Sequence, residues 1–135
     1  GTFPEFSHVL HKALQNPVEV RVPTREIVRA TELALITARR EARLVHLNVS
    51  PQGVRLESST PDVGQTTTPV SNATCPESTV RIALNGLYFL QALRAVRDEM
   101  TCLLVRDPLS PILVRGASET DAYAEVLAPV RTYSA

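Results

Sequence analysis

Lysine is nearly missing from this chain: Lys12 is the only one, and every other basic residue is an arginine. The 14 basic and 14 acidic residues cancel to a net charge of +0, which excludes a global pull toward nucleic acid or membrane but allows local patches. The 5 glycines are scattered singly, so there is no glycine-rich loop to cradle a phosphate. No serine sits in a Gly-x-Ser-x-Gly elbow. No apolar run approaches the roughly 18 residues of a membrane span, and no secretory signal is recognised. The only 2 cysteines differ in setting: Cys75 lies in a polar stretch before Pro76, Cys102 in an apolar one. They make no disulfide framework, although a bridge between them stays open. His8 and His11 are three apart but have no acidic or cysteine partner at ligand spacing, and His46 falls on the outward beat of a strand. The sequence therefore offers no catalytic constellation, no metal site and no cofactor site, and a cytoplasmic location is expected.

What is present is pattern. A chain of 135 residues with 44% hydrophobic content is expected to form one domain with a core of its own. In residues 78–93, Val80, Ile82 and Leu84 alternate with Arg81 and Ala83, the period-2 signature of a strand with one buried face. Asn85 then stands where a helix N-cap belongs. Phe89, Leu93 and Val96 come after it at helical spacing, with Gln91, Arg94 and Asp98 on another face. An Asn-Gly pair after a strand can also mark a hairpin, but the run of helix formers behind it favours strand, cap and helix.

The same unit occurs earlier. Val18, Val20 and Val22 alternate, Thr24 is the candidate cap, and Ile27, Thr31, Ala34 and Ala38 form one stripe. Strand-like runs succeed each helix: 44–50, 53–58 and 64–70 behind the first, 100–107, 111–115 and 122–130 behind the second. Residues 58–77, rich in Ser, Thr, Pro and Asn, are expected to form a long loop around a short third strand. The chain thus reads as α+β, with a β-α-β-β-β unit repeated over approximately 17–70 and 78–131, a spacing of roughly 60 residues. Neither half can bury a helix and a sheet face alone, so both are expected to share one core.

Two surfaces invite function. Arg25, Arg29 and Glu32 lie opposite the first helix's stripe, and Arg39, Arg40 and Arg43 cluster at its end. These arginines read either as a solvated face complementing the helix dipole or as loose contacts to a phosphate backbone. Phe3-Pro4, Tyr88 and Ala128-Pro129-Val130-Arg131 are apolar or proline-stiffened and either cover the core or dock a partner.

Taken in order, several segments resemble the C-terminal (third) domain of the bacterial replication sliding clamp, the beta subunit of DNA polymerase III. Phe3-Pro4-Glu5-Phe6 with Val9-Leu10 is similar to that family's Phe-Pro-Asp-Tyr opening. Residues 27–38 resemble its first helix, and Val45-x-Leu47-x-Val49-Ser50 the strand after it. Ile82-Ala83-Leu84-Asn85-x-x-Tyr88-x-Leu90-x-Ala92-Leu93 resembles its Asn-x-x-Tyr-Leu helix. Asp107-Pro108-Leu109-Ser110-Pro111 and Ala128-Pro129-Val130-Arg131 resemble its last hairpin and its Met-Pro-Met/Val-Arg ending. The resemblance runs over 1–135 as a single domain and implies the DNA-clamp fold, with two helices on one face of antiparallel sheets.

It further implies a processivity factor rather than an enzyme, with a homodimeric ring around duplex DNA in the full-length protein and a nucleoid-associated location. DNA would be held without sequence preference, and only weakly by this domain alone. Arg25, Arg29, Arg94 and Arg97 would face the duplex. A pocket for short motifs of the Gln-Leu-x-Leu-Phe kind, from polymerases, clamp loader and repair proteins, would comprise Pro4, His8, Val9, Asn85, Tyr88, Leu109, Pro111, Val126, Leu127, Ala128, Pro129, Val130 and Arg131. The chain departs from the family at His8, where arginine is common, and at Ala42, where some relatives carry a bulky aromatic. It also continues through Thr132-Tyr133-Ser134-Ala135 past the usual ending. An alternative role is a stand-alone clamp-like adaptor that competes for clamp partners.

Overall fold

The computed structural model describes residues 17–38, 43–60, 64–74, 76–118 and 123–131. Pro4, His8, His11, Val9, Ala42, Cys75 and the stretch 132–135 lie outside these. The elements run β1 (Val18–Pro23), α1 (Thr24–Ala38), β2 (Leu44–Ser50), β3 (Gly53–Thr60), β4 (Gly64–Val70), β5 (Val80–Asn85), α2 (Gly86–Ala95), β6 (Met100–Val105), β7 (Ile112–Gly116) and β8 (Ala124–Leu127). This is strand, helix and three strands, twice over. Among the described residues no helix is long and apolar enough to cross a membrane.

The strands do not pair within their own series. The two four-stranded sheets have the orders β1-β6-β7-β8 and β4-β3-β2-β5. β1 runs antiparallel to β6, with Val20 opposite Leu103, and β5 antiparallel to β2, with Ile82 opposite Leu47. Each series therefore lends its first strand to the other's sheet, and neither half is a separable unit. One apolar cluster results from that exchange: Val20 and Val22, Val45 and Leu47, Ile82 and Leu84, Leu103 and Val105 meet both helices in it.

The expected α1 stripe is buried in full, with Ile27, Thr31, Ala34 and Ala38 all inaccessible. Thr31 keeps its hydroxyl satisfied there by donating to the Ile27 carbonyl at 2.7 Å. In α2 the buried set is Gly86, Phe89, Leu90, Ala92 and Leu93. Small residues on α1 and larger ones on α2 let the two helices share one layer over the sheets.

Three expectations change. Thr24 does not act as a side-chain cap: it is the first residue of α1, and its hydroxyl donates to the Asp98 carbonyl at 2.8 Å and lies 2.7 Å from Thr101 Oγ1. α2 ends at Ala95, because Val96 turns to an extended backbone at φ −71 and ψ 125. Asp98 is accordingly not a solvated helix residue; its carboxylate accepts from Met100 N and from Ser118 N. Finally, β3 runs past its expected end at Ser58, while β4 holds the expected 64–70. β3 continues to Thr60, and β4 pairs with it from Val54↔Val70 to Thr60↔Gly64, because threonines suit a half-exposed pleated edge.

Cys102 is a buried free thiol, as its apolar surroundings imply. It lies with Leu104 and Leu113 in a small second cluster, away from the main core. Burial, helped by Glu19 and opposed more weakly by Arg115 and Arg21, pushes this thiol up to about 11, so it stays protonated.

Candidate functional site: a cleft between α2 and the C-terminal segment

The cleft begins with Asn85. Its backbone is extended, at φ −70 and ψ 111, and its Oδ1 accepts from Leu87 N at 3.0 Å and Tyr88 N at 3.1 Å. That is the cap expected from the sequence, and it satisfies two of the N–H groups left over at a helix start. Because Oδ1 is committed, the side-chain amide Nδ2 is what Asn85 can offer a ligand. One residue on, Gly86 donates its N–H to the Arg43 carbonyl at 2.7 Å. A Cβ at Gly86 would stand 2.9 Å from that same oxygen and 2.7 Å from Leu35 Cδ2. Glycine is required here by close approach, and it seats the start of α2 against the end of α1. Arg43 itself holds a left-handed backbone, φ 58, which aims its carbonyl at Gly86.

The far wall is formed by strand β8 and the C-terminal segment beyond it. β8 is the edge of its sheet. After Leu127 the chain leaves that sheet, and Val130 N donates to the Ala83 carbonyl on β5 at 2.8 Å. The segment therefore bridges the two sheets, closing a cleft of about 690 Å³ lined by Leu84, Asn85, Tyr88, Gln91, Ala92, Tyr123, Glu125, Val126, Leu127, Ala128 and Val130. Tyr88 is 59% exposed and Val130 38%, and because both line one cleft they belong to a grouped apolar surface rather than a scattered one. A second hollow of about 460 Å³ adjoins it across Val130, lined by His46, Arg81, Ala83, Pro108, Leu109 and Arg131.

Of the residues expected in a partner pocket, Asn85, Tyr88, Val126, Leu127, Ala128 and Val130 line the first hollow. Leu109 and Arg131 line the second, with Val130 shared. Pro111 and Pro129 are half-buried and line neither hollow. The sequence reading missed Leu84, assigned to a buried strand face, Ala92, given no role beyond the family's helix motif, and Tyr123, an aromatic just before β8. It also missed His46 and Arg81. Their outward positions on β2 and β5 were legible from alternation, but not their nearness to Leu109.

Local electrostatics are set by packing. His46 is half-buried rather than freely solvated, and burial, then Arg81, lowers its pKa below the ordinary 6.5 against a weaker opposing pull from Glu57. Glu57 is 10% exposed at its side chain and lies between two guanidiniums, Arg81 at 3.3 Å and Arg55 at 3.4 Å. Asp107 accepts from the Ser110 hydroxyl and from Leu109 N at 2.9 Å, which holds its carboxyl below the usual 3.8 and fixes the turn that presents Leu109. Among the described residues no group of three or more His, Cys, Asp or Glu is placed to hold a metal ion.

The arginines expected to face DNA lie elsewhere. Arg25 and Arg29 are exposed on α1, one turn apart, and no ion pair within the described residues joins either. Arg94 on α2 is exposed but bonded to the Glu32 carboxylate across the helix pair. Arg97, just past α2, is also exposed.

Comparison with known proteins agrees with this architecture. The curated beta sliding clamp of Halalkalibacterium halodurans is 24% identical over 98% of this chain and 35% of its own length. That of Chlamydia muridarum is 24% identical over 89% of this chain and 32% of its own length. The chain thus spans about a third of the length of these relatives. Among solved structures, a DNA polymerase III subunit beta from Bartonella birtlesii superposes with a TM-score of 0.81 at 23% identity, over 98% of this chain and 37% of that one. The Bacillus subtilis DNA polymerase sliding clamp gives 0.75 at 24% identity, over 91% of this chain and 33% of that one. A second Bartonella birtlesii sliding-clamp structure, bound to griselimycin, gives 0.79 at 24% identity, over 98% of this chain and 35% of that one. These likenesses establish the clamp fold. Residues 14–131 match the family described as DNA polymerase III beta subunit, C-terminal domain, and the chain belongs to that family.

Proposed function

We propose that the chain serves as part of a DNA polymerase processivity clamp, and that its cleft receives short linear motifs of the Gln-Leu-x-Leu-Phe kind. The partners would be polymerases, clamp-loader subunits and repair proteins, and the role is binding without a catalytic step. The observation that carries this reading is the bridged cleft of about 690 Å³, in a chain of this family. Leu84, Ala92, Val126 and Val130 supply apolar walls for leucine and phenylalanine side chains. Asn85 Nδ2 and the Arg131 guanidinium supply donors that orient a peptide backbone. The cap at Asn85 and the Val130–Ala83 hydrogen bond fix both walls before any ligand arrives, which lowers the ordering cost of binding.

In the full-length protein the same fold would take part in a homodimeric ring around duplex DNA, with α1 and α2 toward the duplex. Exposed Arg25 and Arg29 suit loose phosphate contact. Glu32 beside Arg94, and exposed Leu33 and Ile36 on α1, keep that face from holding DNA tightly. Weak, salt-sensitive and sequence-independent contact is what sliding needs.

The test is a fluorescence-polarisation titration of a labelled Gln-Leu-x-Leu-Phe peptide against the chain and against a truncation lacking residues 129–135. Saturable binding that the truncation abolishes is expected. No binding at high micromolar protein, or binding that survives the truncation, contradicts the reading. Griselimycin, which the Bartonella birtlesii clamp is seen to bind, is expected to compete with the peptide.

A further inference from the structure

The groove does not end at Val130. That residue lines both hollows, so the apolar cleft continues onto the outward face of β5 and β2, and there its chemistry changes. The charged side chain on the first hollow's lining is Glu125. On the second hollow's lining stand Arg81, Arg131 and His46, beside an exposed Leu109.

The positive charge at that end is not cancelled locally. Glu57 is the carboxylate that meets Arg81, and it is shared with Arg55. Arg131 is exposed, with no ion pair among the described residues. Three arginines against one glutamate leave this end of the groove with an excess of two positive charges. Asp107, on the neighbouring turn, is already engaged with Arg106, Leu109 N and Ser110. In a chain of net charge +0, the groove is therefore polarised, acidic at one mouth and basic at the other.

We infer that the basic end reads acidic residues beside the apolar anchor of the bound segment, so that the preferred partner is a linear peptide carrying an acidic flank over Arg81 and Arg131. The inference rests on the reading of the cleft as a peptide site and goes beyond it by stating what lies next to the anchor. Guanidiniums present planar forks of donors that match carboxylates, and the opposite sign at Glu125 disfavours the reversed placement. Charge arranged this way selects among partners that share an anchor, more than it raises affinity for all of them.

The experiment compares three peptides with the same Gln-Leu-x-Leu-Phe core on the full chain: an acidic pair before the core, an acidic pair after it, and neutral serines on both sides. One acidic peptide is expected to bind about three- to tenfold tighter than the neutral one at low salt, with the gain lost near ~0.5 M salt. In the double variant Arg81→Gln, Arg131→Gln the acidic and neutral peptides are expected to bind alike, the gain being read as the ratio of their affinities whatever the loss of Arg131 costs both. Glu57→Gln removes the competing carboxylate and is expected to enlarge the gain. It keeps the test decisive should the double variant not fold, since lost structure does not raise affinity. If both acidic peptides bind no tighter than the neutral one, or the gain persists in the folded double variant, this inference is overturned and the peptide site stands. If none of the three binds, both fall together.

Discussion

The two helices occupy equivalent places in the two series, yet they are made in different ways. α1 has 15 residues, packs through Ala30, Ala34 and Ala38, and spends the hydroxyl of Thr24 on the opposite strand connection. α2 has 10 residues, is capped by its own neighbour Asn85, and packs through Phe89, Leu90 and Leu93. α1 is thus held by tertiary fit, whereas α2 carries its own local start signal and its own large anchors. The difference matters because α2 is the helix that walls the cleft. A binding surface benefits from a support whose geometry is fixed locally.

The largest test of that contrast is Phe89→Ala. Phe89 is completely buried, and its truncation is expected to cost about 3–5 kcal/mol in denaturant unfolding. A cost near that of a surface substitution would show that α2 is not anchored as described. Next is Gly86→Ala, where the new Cβ meets the Arg43 carbonyl and Leu35 at under 3 Å. A loss of about 1–3 kcal/mol is expected, accompanied by weaker peptide binding, since the start of α2 must shift. Unchanged stability would mean the junction of the helices is looser than its geometry.

The caps discriminate more finely. Asn85→Ala is expected to cost about 0.5–2 kcal/mol, and Asn85→Asp, which keeps an acceptor, much less. Thr24→Asp should not be tolerated in the same way, although aspartate is also a good cap. It removes the donor to the Asp98 carbonyl and sets a carboxylate against buried Thr101. Thermal unfolding of the four proteins, wild type included, reads this directly, and equal tolerance at both positions would erase the contrast.

The smallest expected effect is in pH. The folded pKa of His46 lies below its ordinary 6.5, so the unfolded chain binds the proton more readily. Its contribution is fully present above about pH 6.5 and is lost as pH falls from there through the folded pKa. Melting temperature should decline from pH 7 to pH 5 more steeply in the wild type than in His46→Gln. Parallel declines would remove His46 as a cause.

Much of this was legible in the chain. The alternation of Val80, Ile82 and Leu84, the α1 stripe and the Asn85 cap are local, and periodicity or a single side chain encodes them. β6 was legible only as an apolar run: residues 101–105 are buried throughout, so no alternation marks its faces. The exchange of β1 and β5 between sheets is a property of the whole chain and leaves no local trace. Nor could spacing show that Thr24 reaches Asp98, 74 residues away, or that Glu32 neutralises Arg94. For the site, Asn85, Tyr88, Val126, Leu127, Ala128 and Val130 of the residues carried by the family likeness line the cleft, Leu109 and Arg131 line the hollow beside it, and Pro111 and Pro129 line neither. Those missing from that set, Leu84, Tyr123, His46 and Arg81, arrive through sheet pairing and the path of the C-terminal segment.

The most direct measurement is amide chemical-shift mapping of the isotope-labelled chain during titration with a Gln-Leu-x-Leu-Phe peptide. Perturbations are expected to group at Asn85, Tyr88 and Ala92 on one wall and at 123–131 on the other, with Arg25 to Ile36 of α1 unmoved. Perturbations centred on α1, or none at saturating peptide, would contradict a binding cleft between α2 and the C-terminal segment.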